Sequence, residues 1–393
     1  MRKSKVSNFD FLNNELAQLK QANLYREPIC IDSAQGPIVR IGNEEKILFC
    51  SNNYLNLANH PKILEAANAA TKKFGYGSGA SRLISGTMSP HVQLENELAK
   101  LFGFEAALVF PSGFSANEAV LKTIPQKGDI ILADKLSHAS IIDAAQASPA
   151  DFRTYRREDY GKIEKFLAGE KYNRRFIITE GIFSMDGDSP DLEKLVRLKN
   201  KYNAILIIDE AHAFGCIGQN GLGLAEHTGL LNEVDIIIAT LSKAAGCSGG
   251  FVVSQKAVID FLVNKARSFI YTTAPSPVNS AAAIAAIELM KNEPQRREKL
   301  RQNAEYLRNN LKRANLNLGN STSHIIPVII GDNEKAMKLS KALFEKGFFV
   351  SAIRPPTVPQ GSARLRISLQ CEHTKEQLDQ LCKAIAETTS EDR

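Results

Sequence analysis

The sequence predicts an α/β protein, with a large lobe on a mainly parallel β-sheet and a small C-terminal α+β lobe. Three observations predict this. From Ser51 to about residue 290, short apolar runs alternate with helical patterns, as in βαβ units. Two of those runs, over 204–209 and 235–243, are continuous rather than alternating, as expected of strands buried on both faces. Beyond about residue 290 the pattern changes to long helices with a few strands, and no internal repeat appears.

The first 50 residues read as an arm. Phe9, Leu12, Leu16, Leu19 and Leu24 recur at near-helical spacing, which predicts an amphipathic helix over 7–25. Short strands are expected at 29–31, 37–41 and 46–50. The arm is too small to fold alone, so it should pack on another lobe or a second subunit. In the large lobe, residues 51–290, a helix over 91–103 leads to a strand over 106–110. Further strands are expected at 129–133, 175–179, 204–209, 235–243 and 250–254. A long helix over about 277–316, broken near Asn292-Glu293-Pro294, leads out of this lobe. The small lobe, residues 291–393, reads as strand 325–330, helix 333–346, strands 348–353 and 363–369, and helix 374–388.

Composition narrows the class of function. With 393 residues the chain can bury a large core, and 44% hydrophobic with 23% charged residues is ordinary for a soluble globular protein. The net charge of +6 is spread along the chain. It reads as a solvated surface or as mild attraction for anionic substrates and phosphates. No basic stripe interleaved with aromatics suggests nucleic acid. The six cysteines show no CxxC pair and no metal-ligand spacing, so reduced thiols and no metal are expected. No run reaches the roughly 18 apolar residues of a membrane span. The start, Met1-Arg2-Lys3-Ser4-Lys5 and then polar sequence, has no apolar core of a secretory leader, so a cytoplasmic protein is expected.

The chemistry gathers where strands end. Asp209 closes one continuous run and is followed by Glu210-Ala211-His212; Lys243 closes the next, ahead of a Gly-rich turn. Ligands of open parallel sheets bind at the strands' carboxyl ends. An acid and a lysine there suit pyridoxal 5′-phosphate (PLP): the lysine forms the Schiff base and the acid keeps the ring nitrogen protonated. Ser112-Gly113-Phe114, between a strand and a helix, offers backbone N–H groups and a helix dipole to a phosphate, with Thr240 and Ser242 as extra hydroxyls. His138 reads either as a lid stacked on the cofactor ring or as a loop histidine bonded to backbone. Asp209 could also be an N-cap and Lys243 a surface lysine, but a buried acid needs a cationic partner. His212 is placed to reach the cofactor's phenolic oxygen, Ser184 to bond cofactor or substrate, and Glu210 to point away as a structural acid.

Together these motifs resemble the α-oxoamine synthases, PLP enzymes of fold type I. The resemblance runs from Ser51-Asn52-Asn53-Tyr54-Leu55 to the last strand. It includes Gly77–Arg82, His91–Glu95, Ser137-His138-Ala139-Ser140, Phe183–Asp188, Asp209–His212 and Thr240–Lys243. It implies that Lys243 carries the cofactor, Asp209 pairs with its ring nitrogen, and His138 stacks on it. His212 and Ser184 would then lie at the phenolic oxygen, and Ser112, Gly113, Phe114 and Thr240 at the phosphate. Arg366 would clamp the amino-acid carboxylate, with Asn52 near the thioester and Arg354 and Thr357 near the acyl chain. The segment 271–273, with Thr272 and Thr273, would reach the phosphate of a neighbouring subunit, implying a homodimer with shared sites. The segment Ala352–Arg366 resembles the members that join L-alanine to a pimeloyl thioester, of CoA or acyl carrier protein, in biotin synthesis. Use of glycine with acetyl-CoA, or of another acyl-CoA, is the alternative. Three departures stand out: Asn56 replaces a usual glycine, Tyr155–Asp159 lacks the usual pattern, and Phe214 is bulky enough to alter the substrate pocket.

Overall fold

A seven-stranded sheet forms the centre of the molecule in this computed structural model, which describes residues 8–391. The stretch Met1–Lys5, read above as no secretory leader, and Ser7 of the expected first helix lie outside the described residues. In chain order the strands are β1 (Ile38–Ile41), β2 (Glu44–Leu48), β3 (Ala106–Phe110), β4 (Ile130–Asp134), β5 (Asp151–Tyr155), β6 (Arg175–Glu180) and β7 (Ile205–Asp209). After them come β8 (Ile236–Thr240), β9 (Gly250–Ser254), β10 (Ile325–Gly331), β11 (Phe348–Phe349), β12 (Ser351–Ile353) and β13 (Ala363–Ser368). The central order is β3-β9-β8-β7-β6-β4-β5. Strands β5, β4, β6, β7 and β8 pair in parallel, and β9 runs antiparallel between β8 and β3.

The continuous apolar runs follow from this position. Side chains alternate across a strand, so in β7 Leu206 and Ile208 enter one core layer and Ile207 the other. The helices Ser89–Phe102 and Pro277–Asn292 cover the first layer; Gly113–Thr123 and Ala139–Gln146 cover the second. Each fully buried Ile of this set contributes about 1.5–3 kcal/mol. With both faces covered, the open edge at the strands' carboxyl ends carries Asp134, Glu180, Asp209 and Thr240.

Two smaller sheets complete the fold. The β1–β2 hairpin pairs through β2 with β11 in parallel, which ties the arm to the C-terminal part of the chain. The second has the order β10-β13-β12. The expected long helix is Pro277–Asn292 followed by Gln295–Arg313, interrupted at Pro294, whose missing N–H breaks the ladder. The arm helix, Asp10–Gln21, has no buried residue.

Several elements differ from expectation. The edge strand β5 was not anticipated, because its residues are alternately exposed and polar. Residues 29–31 form no strand. The expected strand 348–353 is two strands serving different sheets, divided at Val350. All six cysteines are free thiols; Cys216 and Cys371 are buried and Cys30 is exposed. Among the described residues no helix is long and apolar enough to cross a membrane.

Candidate active site

Asp209, the last residue of β7, is 5% exposed, and both its oxygens are held. Oδ1 accepts from the Ala211 N–H at 2.8 Å, and Oδ2 from Asn117 Nδ2 at 2.8 Å. Asn117 stands in the helix Gly113–Thr123 and also reaches Ser140 Oγ at 3.0 Å. Ser140 Oγ in turn lies 2.8 Å from His138 Nδ1. His138 caps the helix Ala139–Gln146, its ring accepting from the Ser140 N–H. Burial lowers the His138 pKa, with Asp209 opposing the shift. The His138 N–H donates to Glu180 Oε1 at 2.6 Å. Glu180 ends β6 directly beside Asp209. Burial, with the Asp209 charge adding, pushes its pKa up to about 8.

Lys243 lies just beyond β8. It is partly exposed along its length, while its amino group is enclosed. Nζ is 3.0 Å from His212 Nε2. Enclosure brings its pKa down to about 8, against the pull of Asp209 and Glu180. Burial, followed by the Lys243 charge, holds His212 well below the usual histidine range. Glu210 turns away, its Oε1 accepting from the Ala225 N–H at 2.9 Å. It is structural, as its alternation suggested.

Beside Lys243 the chain makes a cradle for an anion. Ser112 caps the helix that Gly113 and Phe114 begin, and Thr240 Oγ1 and Ser242 Oγ lie 2.8 Å apart. Close approach explains the glycines: a Cβ on Gly250 would meet the Gly113 nitrogen at 2.5 Å, and one on Gly113 would meet Thr240 Cβ at 3.3 Å. Gly250→Ala should therefore cost about 1–3 kcal/mol of stability by overpacking and weaken phosphate binding. Thermal unfolding and titration with PLP check both.

Arg366, on β13, is 7% exposed. Nε donates to the Ser184 carbonyl at 2.6 Å, NH1 to Ser368 Oγ at 2.7 Å, and both terminal nitrogens sit 3.5 Å from Asn52 Oδ1. Asn52 Oδ1 accepts from the Tyr54 hydroxyl, which also contacts His212 Nδ1. Asn52, Ser184, His212, Lys243 and Arg366 are thus one connected cluster; His138, Ser140, Asn117, Asp209 and Glu180 form a second, which acts on the first through the electrostatic pull of Asp209 and Glu180 on Lys243.

The other expected residues stand further out. Thr357 lines two cavities. One, of about 660 Å³, is walled by His138, Ser184 and Arg364; the other, of about 570 Å³, by Arg354, Tyr25 and Cys50. Arg354 NH2 donates to the Tyr25 carbonyl at 2.7 Å. Thr272 and Thr273 are not brought to the cluster on this chain; Thr273 bridges Ser81. Tyr54, Asn117, Ser140 and Glu180 received no role from the sequence; Tyr54, Asn117 and Glu180 take partners from distant segments, and Ser140 joins the neighbouring His138 to the distant Asn117. Tyr54 and Ser140 did sit inside the motifs read there. Phe214 requires a correction. It is 1% exposed and packs on Phe102 and Phe251, with ring centroids 5.7 and 5.2 Å away, so it belongs to the core and not to the substrate pocket. Asn56 has φ +52°, a left-handed backbone that explains why glycine is usual there and why Asn serves.

The residues fit PLP. The cradle suits its phosphate, and Lys243 is an amine of lowered pKa. The carboxylate of Asp209 is fixed at the strand end. Asn117 Oδ1 beside it is buried without a partner. Comparison with known proteins agrees. Residues 44–385 match the family model "Aminotransferase class I and II". The chain is 43% identical over 383 residues to 8-amino-7-oxononanoate synthase of Thermoanaerobacter pseudethanolicus, covering 97% of each. Serine palmitoyltransferase from S. paucimobilis, solved with bound PLP and myriocin, superposes with a TM-score of 0.92 at 30% identity, covering 99% of each chain. The 8-amino-7-oxononanoate synthase of Francisella tularensis superposes with a TM-score of 0.78 at 32% identity, covering 88% of this chain and 98% of that one. The chain belongs to the class I and II aminotransferase family.

Proposed function

We propose that this chain is a PLP-dependent acyltransferase that condenses L-alanine with a pimeloyl thioester, of CoA or acyl carrier protein. The products are 8-amino-7-oxononanoate, CO2 and free thiol, in biotin biosynthesis. The observation that carries the chemistry is an enclosed amine, a fixed buried carboxylate and a guanidinium gathered at one sheet edge. Full-length identity of 43% to a synthase of that name supports the substrates. Bound PLP supplies an electron sink for a carbanion at the amino acid's Cα.

The chain's residues divide the rest of the work. Ser112, Gly113, Phe114 and Thr240 hold the phosphate, and Asp209 keeps the ring nitrogen protonated. His138 covers the ring; His212 and Ser184 flank the phenolic oxygen side. Arg366 clamps the alanine carboxylate in bidentate fashion. Lys243 first anchors the cofactor, then removes the Cα proton as general base. Asn52 lies at the thioester, and Arg354 and Thr357 along the acyl chain. Thr272 and Thr273 complete the phosphate site of a second subunit in a homodimer. The exposed apolar residues Leu12, Leu16 and Tyr271 are consistent with such a partner. In this reading residues 1–50 are an arm, 51–290 the cofactor lobe and 291–393 the small lobe of a cytoplasmic enzyme.

Thiol release by PLP-loaded protein tests the proposal. Release with L-alanine and pimeloyl-CoA or its carrier-protein thioester is expected; release only with glycine and acetyl-CoA overturns the substrate assignment. A second expectation concerns pH. A neutral amine attacks PLP, so attachment to the PLP-free chain should accelerate as pH rises through about 8, not about 10.4 as for ordinary lysine. Stopped-flow absorbance gives the profile.

A further inference from the structure

We propose that Tyr54 is a positioning residue: through hydrogen bonds that begin at Arg366, it holds His212 as the Nδ1–H tautomer and turns a bare Nε2 toward Lys243. Four residue contacts link Arg366 to Lys243 through Asn52, Tyr54 and His212. A guanidinium has donors only, and both terminal nitrogens of Arg366 face Asn52 Oδ1 at 3.5 Å, so the Asn52 amide presents its oxygen there. That oxygen carries no hydrogen, so at 3.0 Å the Tyr54 hydroxyl must be the donor. A phenol has one proton to give. Toward His212 Nδ1, 2.7 Å away, the Tyr54 oxygen can then only accept, and Nδ1 carries the hydrogen. The opposite assignment leaves two oxygens 3.0 Å apart with no proton between them.

The protonation states needed are those burial favours. Tyr54 is completely buried, which raises its pKa and keeps the phenol protonated. His212 is held neutral by burial and by Lys243. A neutral imidazole protonated at Nδ1 has a lone pair at Nε2, and Nε2 is 3.0 Å from Lys243 Nζ. Lys243 therefore donates to His212. The guanidinium assigned to the substrate carboxylate and the amine assigned to the proton are joined through Asn52, Tyr54 and His212. The roles at the two ends rest on the proposed reaction; the tautomer does not.

The test is nitrogen NMR of the full-length, PLP-free chain labelled with 15N-histidine, the His212 signals being those lost in His212→Gln. Wild type should show a protonated Nδ1 and a pyridine-like Nε2. Tyr54→Phe removes the acceptor at Nδ1 and should shift the ring toward the Nε2–H form. Asn52→Leu, which leaves the buried tyrosine in place, frees the phenol proton for Nδ1 and should produce the same shift if Tyr54→Phe does not fold. An Nε2–H ring in wild type, or unchanged signals in the folded variants, overturns the proposal. The tautomer is read without turnover, so its failure is distinct from a failure of thiol release.

Discussion

Lys243→Ala is expected to lower turnover by about 10⁴-fold or more, because it removes the anchor and the base together. That loss corresponds to about 5.5 kcal/mol of barrier. The same variant should still take up PLP, since the cradle at Ser112, Gly113 and Thr240 is built from other segments. Borohydride reduction followed by mass spectrometry would find cofactor fixed to wild type and none fixed to the variant. The fold should persist: Lys243 makes its hydrogen bond to His212, and Tyr54 still holds the other side of that ring. Normal turnover from a folded Lys243→Ala protein would remove the acyl-transfer mechanism altogether. Loss of turnover with covalent PLP still present would move the anchor to another lysine.

What the sequence made legible follows from burial. Strands β4, β6, β7, β8 and β9 sit inside the sheet, and β3, though at its other edge, is covered on both faces, so their apolar runs could be read directly. Strand β5 lies at the sheet's edge beyond β4, where water satisfies alternate polar side chains, and its composition reads as loop. Residues 29–31 show the reverse error. They are apolar and β-branched enough for a strand, but among the described residues they pair in no ladder, and strand propensity without a paired partner decides nothing. The site divides in the same way. Asp209, Lys243, His138 and His212 could be found because strand ends mark them. Arg366, Asn52, Arg354 and Thr357 came only through the family resemblance. Tyr54 contacts His212 across 158 positions, and Asn117 contacts Asp209 across 92; spacing carries no trace of either pair. Glu180 follows directly on the expected strand 175–179, but its raised pKa comes first from complete burial and then from standing beside Asp209, and both are matters of how the sheet is assembled.

Asp209→Asn should reduce kcat by about 10²–10³-fold, the range for losing one preorganised electrostatic partner at a reacting centre, with little change in KM for the thioester. The carboxylate's task is to keep a proton on the cofactor's ring nitrogen, and a neutral amide favours that proton far less. The substitution isolates this effect because the surroundings can absorb it. Oxygen Oδ1 of the new amide can still accept from the Ala211 N–H. Its NH2 would at first face Asn117 Nδ2, donor against donor. Asn117, however, has a buried Oδ1 with no partner. Rotating the Asn117 amide brings that oxygen round to accept from the new NH2, and Ser140 Oγ can turn its hydroxyl to donate. A thermal midpoint within a few degrees of wild type is therefore expected alongside the loss in kcat. If kcat survived in the folded variant, Asp209 would be a structural acid, and the ring nitrogen would need no charged partner at this sheet edge. If the midpoint collapsed as well, the Asn117 compensation would be wrong, and Asp209→Ala with its smaller side chain would be needed to separate charge from packing.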